Sequence, residues 1–207
     1  GKGHFAKKEN AIDEPATRAQ YLSWGLGAAT DFDNDGTVDV LMCGRNFLRL
    51  LRGNGDGTFK VMNKTWNVST VAYADAGLCF GDINEDGMLD VAAYTSLDPM
   101  TAGVYRNDLP RQNYVRVRPV GAAGNKGAAG AKIRLLEPGS GKLLWYEQVA
   151  IFGRQQNQTY YGLGQTERHF GLGKRDTVDV SVEFYPSGKK VEQKGVKANS
   201  TAVIEEK

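Results

Sequence analysis

Asp31-Phe32-Asp33-Asn34-Asp35-Gly36-Thr37-Val38-Asp39 is the stretch that decides how this chain is read. It returns 51 residues later as Asp82-Ile83-Asn84-Glu85-Asp86-Gly87-Met88-Leu89-Asp90. Both copies follow D-x-[DN]-x-D-G-x-x-D. Side-chain oxygens at positions 1, 3, 5 and 9 converge on one point when the loop is tight. The glycine at position 6 tolerates the positive φ of a sharp turn. Position 7, Thr37 or Met88, would add a backbone carbonyl. An all-oxygen donor set suits Ca2+ better than Mg2+, which resists full dehydration. The competing interpretation is a pair of acidic surface turns, because Asp, Asn and Gly favour turns on their own account. Two copies in register favour metal. The sequence therefore predicts two calcium sites: Asp31, Asp33, Asp35, Thr37 and Asp39 in one, Asp82, Asn84, Asp86, Met88 and Asp90 in the other.

The loops begin like EF-hand loops, but an EF-hand needs a bidentate Glu at position 12 and a helix on either side. Position 12 is Met42 in one copy and Ala93 in the other. The flanks, Val38, Val40 and Leu41 or Leu89, Val91 and Ala92, are apolar and carry no helical stripe. The last carboxylate arrives at position 9, on an outgoing strand. Each copy is thus expected to be a strand–loop–strand site.

The composition bounds the rest. A chain of 207 residues with 41% hydrophobic and 24% charged residues is long enough for one or two soluble domains. Gly outnumbers Pro 26 to 6, which points to turns between short strands. A net charge of +2 argues against nucleic acid or an anionic membrane as partner. No stretch approaches the ~20 apolar residues of a membrane span, and no signal peptide is recognisable. Cys43 and Cys79 fit either one disulfide of a secreted protein or two free thiols. Glycosylation sequons at Asn63, Asn67, Asn157 and Asn199 exceed the roughly one expected by chance and favour a secreted glycoprotein, unless the source is bacterial.

Read in order, Gly1–Lys7 matches Gly55–Val61, a G-x-G-x-F hairpin turn leading into a strand. Residues 8–22 are polar and irregular, with one helical turn expected around Pro15–Gln20. Gly25–Thr30, Val38–Cys43, Asn46–Arg52 and Thr58–Met62 are expected strands of a first unit. Ala76–Gly81, Val91–Thr95 and Ala102–Arg106 are those of a second. Both faces of Asn46–Arg52 are apolar, as in a strand covered on two sides. Four short strands per ~50 residues is the cadence of a propeller blade or solenoid. After Leu109-Pro110-Arg111-Gln112 the pattern changes. Tyr114–Arg118, Ala131–Leu135, Val178–Phe184 and Thr201–Ile204 alternate with period 2 between Gly-rich turns, which predicts an antiparallel sandwich or barrel.

DFDNDGTVDVLM, GDINEDGMLDVAAY, LRLLRGNGDGTF and VYRND resemble FG-GAP repeats, the calcium-loop blades of integrin-type β-propellers. NYVRVRPVG, NKGAAGAKIRL, RHFGLG, VDVSVEFYPSGK and VKANSTAVIEE resemble the ASPIC/UnbV domain, which follows FG-GAP repeats in cartilage acidic protein and its homologues. The resemblance implies an all-β chain. Residues 1–108 would be FG-GAP-type repeats (two full units and a partial one), and 109–207 a sandwich- or barrel-like ASPIC/UnbV domain. It also implies the C-terminal portion of a longer, extracellular, calcium-binding protein, and it supplies no catalytic residues.

Function narrows to three expectations. The first is a non-enzymatic calcium-binding adhesion or structural module for protein–protein contact. The second is a carbohydrate-binding or accessory part of a secreted enzyme. The third is a self-associating filament or surface-layer subunit, whose unpaired strand edges recruit other chains. His4 and His169 lack a neighbouring nucleophile motif. Trp24, Trp66 and Trp145 are candidates for sugar stacking but pack cores by default. Arg116, Arg118, Lys132 and Arg134 are read as a solvated sheet face.

Overall fold

The computed structural model describes residues 8–9, 11–13, 26–44, 47–62, 77–94, 102–149 and 167–207. Every regular element among them is a β-strand. Strands β1 (Leu26–Thr30), β2 (Asp39–Gly44), β3 (Phe47–Gly53) and β4 (Phe59–Val61) form an antiparallel meander in that order. β5 (Gly77–Gly81), β6 (Asp90–Tyr94) and β7 (Ala102–Tyr105) form a second one. In each meander the acidic loop is closed by the first rung of its hairpin, Thr30 opposite Asp39 and Gly81 opposite Asp90. The position-9 aspartate therefore belongs to both the loop and the outgoing strand.

The two meanders share one core. Ala28, Phe32, Leu41 and Leu50 of the first pack with Phe80, Leu89 and Val91 of the second, closed by Met62, Tyr105 and Leu109. Phe32 meets Phe80 edge to face with ring centroids 5.1 Å apart, the arrangement aromatic quadrupoles favour. Leu50 and Leu51 are both buried although they point to opposite faces of β3, as its two-sided apolar pattern predicts. Ala11–Asp13, expected to be irregular, runs along β4 instead. The Phe59 N–H donates to the Ala11 carbonyl (2.7 Å), and the Asp13 carboxylate accepts from the Val61 N–H (2.8 Å). Backbone pairing at a sheet edge needs no apolar pattern, so the sequence carries no sign of it. Gly1–Lys7 and the helical turn at Pro15–Gln20 lie outside the described residues.

The remaining strands are β8 (Asn113–Val120), β9 (Lys132–Leu136), β10 (Leu143–Gln148), β11 (Arg168–Gly173), β12 (Thr177–Glu183), β13 (Lys190–Lys197) and β14 (Ser200–Glu205). They build a sandwich of two sheets, ordered β10-β9-β12-β13 and β11-β8-β14. The period-2 segments supply its core: Val115 and Val117, Ile133 and Leu135, Val178, Val180 and Val182, Ala202 and Ile204. Phe170, Leu172 and Phe184 fill the space between the sheets. β14 returns parallel to β8, with Ser200 opposite Val115 and Glu205 opposite Val120. β10 and β13 escaped the sequence reading because they are edge strands without the clean alternation that marked the edge strand β14. With burial on few positions, their alternation is weak; β13 buries only Val196.

Removing the Phe32 ring should destabilise the shared core. Phe32→Ala is expected to cost about 3–5 kcal/mol in a chemical-denaturation experiment, the range for a fully buried aromatic truncated to leave a cavity.

Candidate metal centre

The two acidic loops fold by one hydrogen-bond scheme. The position-5 N–H donates to the position-1 carboxylate (Asp35 to Asp31, 3.1 Å; Asp86 to Asp82, 2.9 Å). The position-6 N–H donates to its other oxygen (Gly36 to Asp31, 2.9 Å; Gly87 to Asp82, 2.8 Å). The position-9 carboxylate accepts the position-2 N–H, Phe32 to Asp39 at 2.9 Å and Ile83 to Asp90 at 3.0 Å. Its second oxygen reaches the next hairpin, taking the N–H of Gly53 or Asn107, each at 2.8 Å. Positions 4 and 6 are left-handed in both copies, Asn34 and Glu85 at φ 59°, Gly36 at 91° and Gly87 at 89°. The glycine meets the turn that the spacing predicts.

In the first loop this scheme crowds charge. Oxygens of Asp31, Asp33 and Asp39 all lie within 4.8 Å of one another, and all three residues are buried. Burial, with smaller contributions from Asp39, Asp35 and Asp33, pushes the Asp31 carboxyl up to about 8 despite the opposing Gly36 N–H. Burial likewise raises Asp39 to about 6 and raises Asp33. Arg52 of β3 is the counter-charge on this loop. It pairs with Asp33 (2.5 Å) and Asp35 (2.9 Å) from a side chain that is 41% exposed. Among the described residues no guanidinium or ammonium pairs with Asp31 or Asp39. Three such carboxylates could hold a metal ion, and their oxygens are the donor type a hard cation takes.

The second loop is balanced differently. Arg116 of β8 grips Asp82, and Arg111 pairs with Asp86 (3.3 Å). Burial works against ionisation of Asp86, but the Met88 N–H, Asn84 and Arg111 together hold its carboxyl below the usual range.

Both loops face the sandwich. The Gly173 N–H donates to the Asn34 carbonyl (2.7 Å), and the Gln112 amide donates to the Asp33 carbonyl (3.1 Å). Asn34 bridges three parts of the fold. Its Nδ2 donates to the Gly87 carbonyl (2.8 Å), and its Oδ1 meets Nε2 of His169 at 2.8 Å. An amide oxygen only accepts, so His169 carries its proton on Nε2. Its Nδ1 is buried and has no hydrogen-bond partner among the described residues. Burial first, then the Arg116 charge, lowers His169 to about 3, so the ring is neutral. Tyr114 stacks on it at 5.0 Å. At Gly171 a Cβ would stand 1.9 Å from Asp31 Oδ2 and 2.5 Å from Asn34 Cα. Only glycine allows this approach.

The other sequence candidates fall as follows. Thr37 donates its hydroxyl to the Gly53 carbonyl (3.2 Å), while the Met88 side chain is buried and its sulfur accepts from Asn34. Cys79 is a free, exposed thiol in β5, and the Cys43 side chain lies outside the described residues. Asn63, Asn67 and Asn157 lie outside the described residues, as do His4, Trp24 and Trp66. Asn199 is exposed, and its side chain joins Tyr114 (3.2 Å) and Asn113 (2.9 Å). Trp145 donates its indole N–H to the Gly171 carbonyl (3.2 Å) and packs against the sandwich core. Lys132 and Arg134 pair with Glu183 (each 3.1 Å), and Arg118 is exposed, but Arg116 leaves the solvated face for the second loop. Arg52, Arg116, His169 and Asn34 are partners that no motif announced. The RHFGLG run alone hinted at one, since two glycines within a strand often mark a close backbone approach.

Residues 31–93 match the model of the FG-GAP-like repeat, and residues 121–207 match that of ASPIC and UnbV. No curated protein matches the chain. Both domain types occur typically in extracellular or surface proteins and fit a protein–protein or accessory module.

Two outcomes follow from the geometry. Gly171→Ala should lower the melting temperature by several degrees, since neither the Asp31 carboxylate nor the Asn34 backbone can retreat cheaply. The metal-free protein should also respond to pH. Asp31 and Asp39 bind protons more tightly folded than at their ordinary 3.8, so folding stability falls as pH rises toward about 8. His169 acts oppositely, losing stability as pH falls below its ordinary 6.5. Melting in chelator should therefore decline between pH 6.5 and 8; a flat profile there would contradict the raised carboxyls.

Proposed function

We infer, for a chain that joins an FG-GAP-like repeat to an ASPIC and UnbV domain, an extracellular and non-enzymatic role as a calcium-stiffened module for protein–protein contact. The observation that carries it is the buried Asp31–Asp33–Asp39 cluster, three carboxylates within 4.8 Å of one another. Arg52 supplies one positive charge against the four aspartates of this loop. Asp31, Asp33, Asp35 and Asp39 would hold the ion. When bound it offsets like-charge repulsion and couples metal binding to folding. The bond that the Asp39 carboxylate accepts from the Gly53 N–H would pass that rigidity into β3, and those that the Asn34 and Asp33 carbonyls accept from Gly173 and Gln112 would pass it to the sandwich.

Secretion rests on the domain types and on the excess of sequons. Protein contact is preferred to carbohydrate because Trp145 is engaged in packing. It is preferred to strand-added filaments at β4 because Ala11–Asp13 already occupies that edge. A non-enzymatic role is supported by His169, whose ring is committed to Asn34 and Tyr114.

Calorimetric titration of Ca2+ into the chelator-stripped chain tests this. Binding should be tighter for Ca2+ than for Mg2+. At pH 7 the measured enthalpy should change with the ionisation heat of the buffer, because protons leave the raised carboxyls. Asp33→Asn puts at position 3 the residue type the second loop already uses there, so it should fold and bind at least about tenfold more weakly. Absence of any heat, with melting unmoved by Ca2+, would overturn the proposal.

A further inference from the structure

The two loops share a sequence pattern and a hydrogen-bond scheme but differ in charge. The first sets four aspartates (Asp31, Asp33, Asp35 and Asp39) against Arg52. The second sets three (Asp82, Asp86 and Asp90) against Arg116 and Arg111. Two guanidinium groups stand against the three carboxylates of the second loop, which leaves little negative charge there for a metal. Asp82 is held by the Arg116 guanidinium, with side-chain exposures of 6% and 22%. Asp86 takes Arg111 and the Asn84 amide (3.1 Å). Asp90 accepts the Ile83 and Asn107 N–H groups just as Asp39 accepts those of Phe32 and Gly53, so the two loops differ at positions 1, 3 and 5. Position 3 is an uncharged amide. Accordingly, a cluster of three close acidic ligands forms in the first loop alone among the described residues.

Arg116 is built into place. Its guanidinium lies over the Tyr114 ring, 5.2 Å from the centroid, and its Nε is 3.9 Å from Glu167. Tyr114 in turn packs on Gly87 of the same loop, where a Cβ would stand 2.2 Å from the ring. We infer that Arg116 of the sandwich takes the place of the cation in the second acidic loop, which therefore binds no Ca2+ and acts as an electrostatic joint between repeat and sandwich. The joint suits a permanent contact. Guanidinium stays charged at any physiological pH, and its flat fork matches a carboxylate. Taking a metal would strand that charge in a half-buried seam.

Calcium content after equilibrium dialysis of the full chain, with melts in chelator, tests the joint. The wild type should hold about one Ca2+ per chain, and Asn84→Ala should leave that number unchanged. Arg116→Met should lower the metal-free melting temperature by roughly 5–10 °C and admit a second Ca2+. Adding Asp82→Asn to Arg116→Met should recover at least half of that loss, because the stranded carboxylate is gone. If Arg116→Met does not fold, Arg116→Lys keeps the charge without the fork and should melt below wild type while still holding one Ca2+. Two Ca2+ in the wild type, with one lost in Asn84→Ala, would overturn the inference. An unchanged melting temperature in Arg116→Met would do the same. No Ca2+ in the wild type would remove the proposal for the first loop alone, leaving the Arg116 and Asp82 melts to decide the joint.

Discussion

Four aspartates drawn into one tight turn and then roofed by a second domain is the constraint on which the rest of this structure depends. In open solvent such a loop would be ordinary. Water would screen its carboxylates, and the turn would cost little. Covered by β11 and Gln112, it becomes a place where negative charge cannot be left alone. Backbone N–H groups take up part of it, Arg52 more, and the remainder appears as carboxyls that hold their protons to unusually high pH. The divalent cation proposed for this loop would complete the balance that the protein leaves unfinished.

The roof is possible because of small residues at two points. Gly171 lets the β11 backbone come down on Asp31 and Asn34, and Gly87 leaves room for the Tyr114 ring. Asn34 profits from that closeness. With its backbone left-handed, its carbonyl and side chain reach Gly173, His169 and Gly87 at once. Two elements distant in sequence, β11 and the second loop, are fixed to the first loop by one short polar residue. His169 contributes a flat neutral ring that fills the seam without adding charge.

Duplication gave both loops the same backbone, and their surroundings then separated them. Asp33 of the first loop becomes Asn84 in the second, removing one charge. The sandwich meets the first loop with glycine and a neutral ring, and the second with a guanidinium. One backbone thereby ends in two electrostatic states, and the difference lies partly at position 3 and partly in the arginines that lie outside the loops.

By itself the sequence determined the local and periodic features. The positions of the loops, their left-handed glycines, the outgoing strands at Asp39 and Asp90, and the valine alternation of β8 and β12 are set by neighbours a few residues apart. Short-range sterics and the period of two suffice for these. The all-β class and the order of the two domains were legible for the same reason. Only the tertiary structure decided the edge strands β10 and β13, the pairing of Ala11–Asp13 with β4, the free Cys79, and the partners Arg52, Arg116 and His169. Edge pairing is made by backbone groups that every residue carries, so it leaves no pattern of side chains. Charge compensation depends on distance through space: Arg116 is 34 residues from Asp82, and His169 is 135 from Asn34. Whether an acidic loop is left for a metal or closed by an arginine is set by what folds over it.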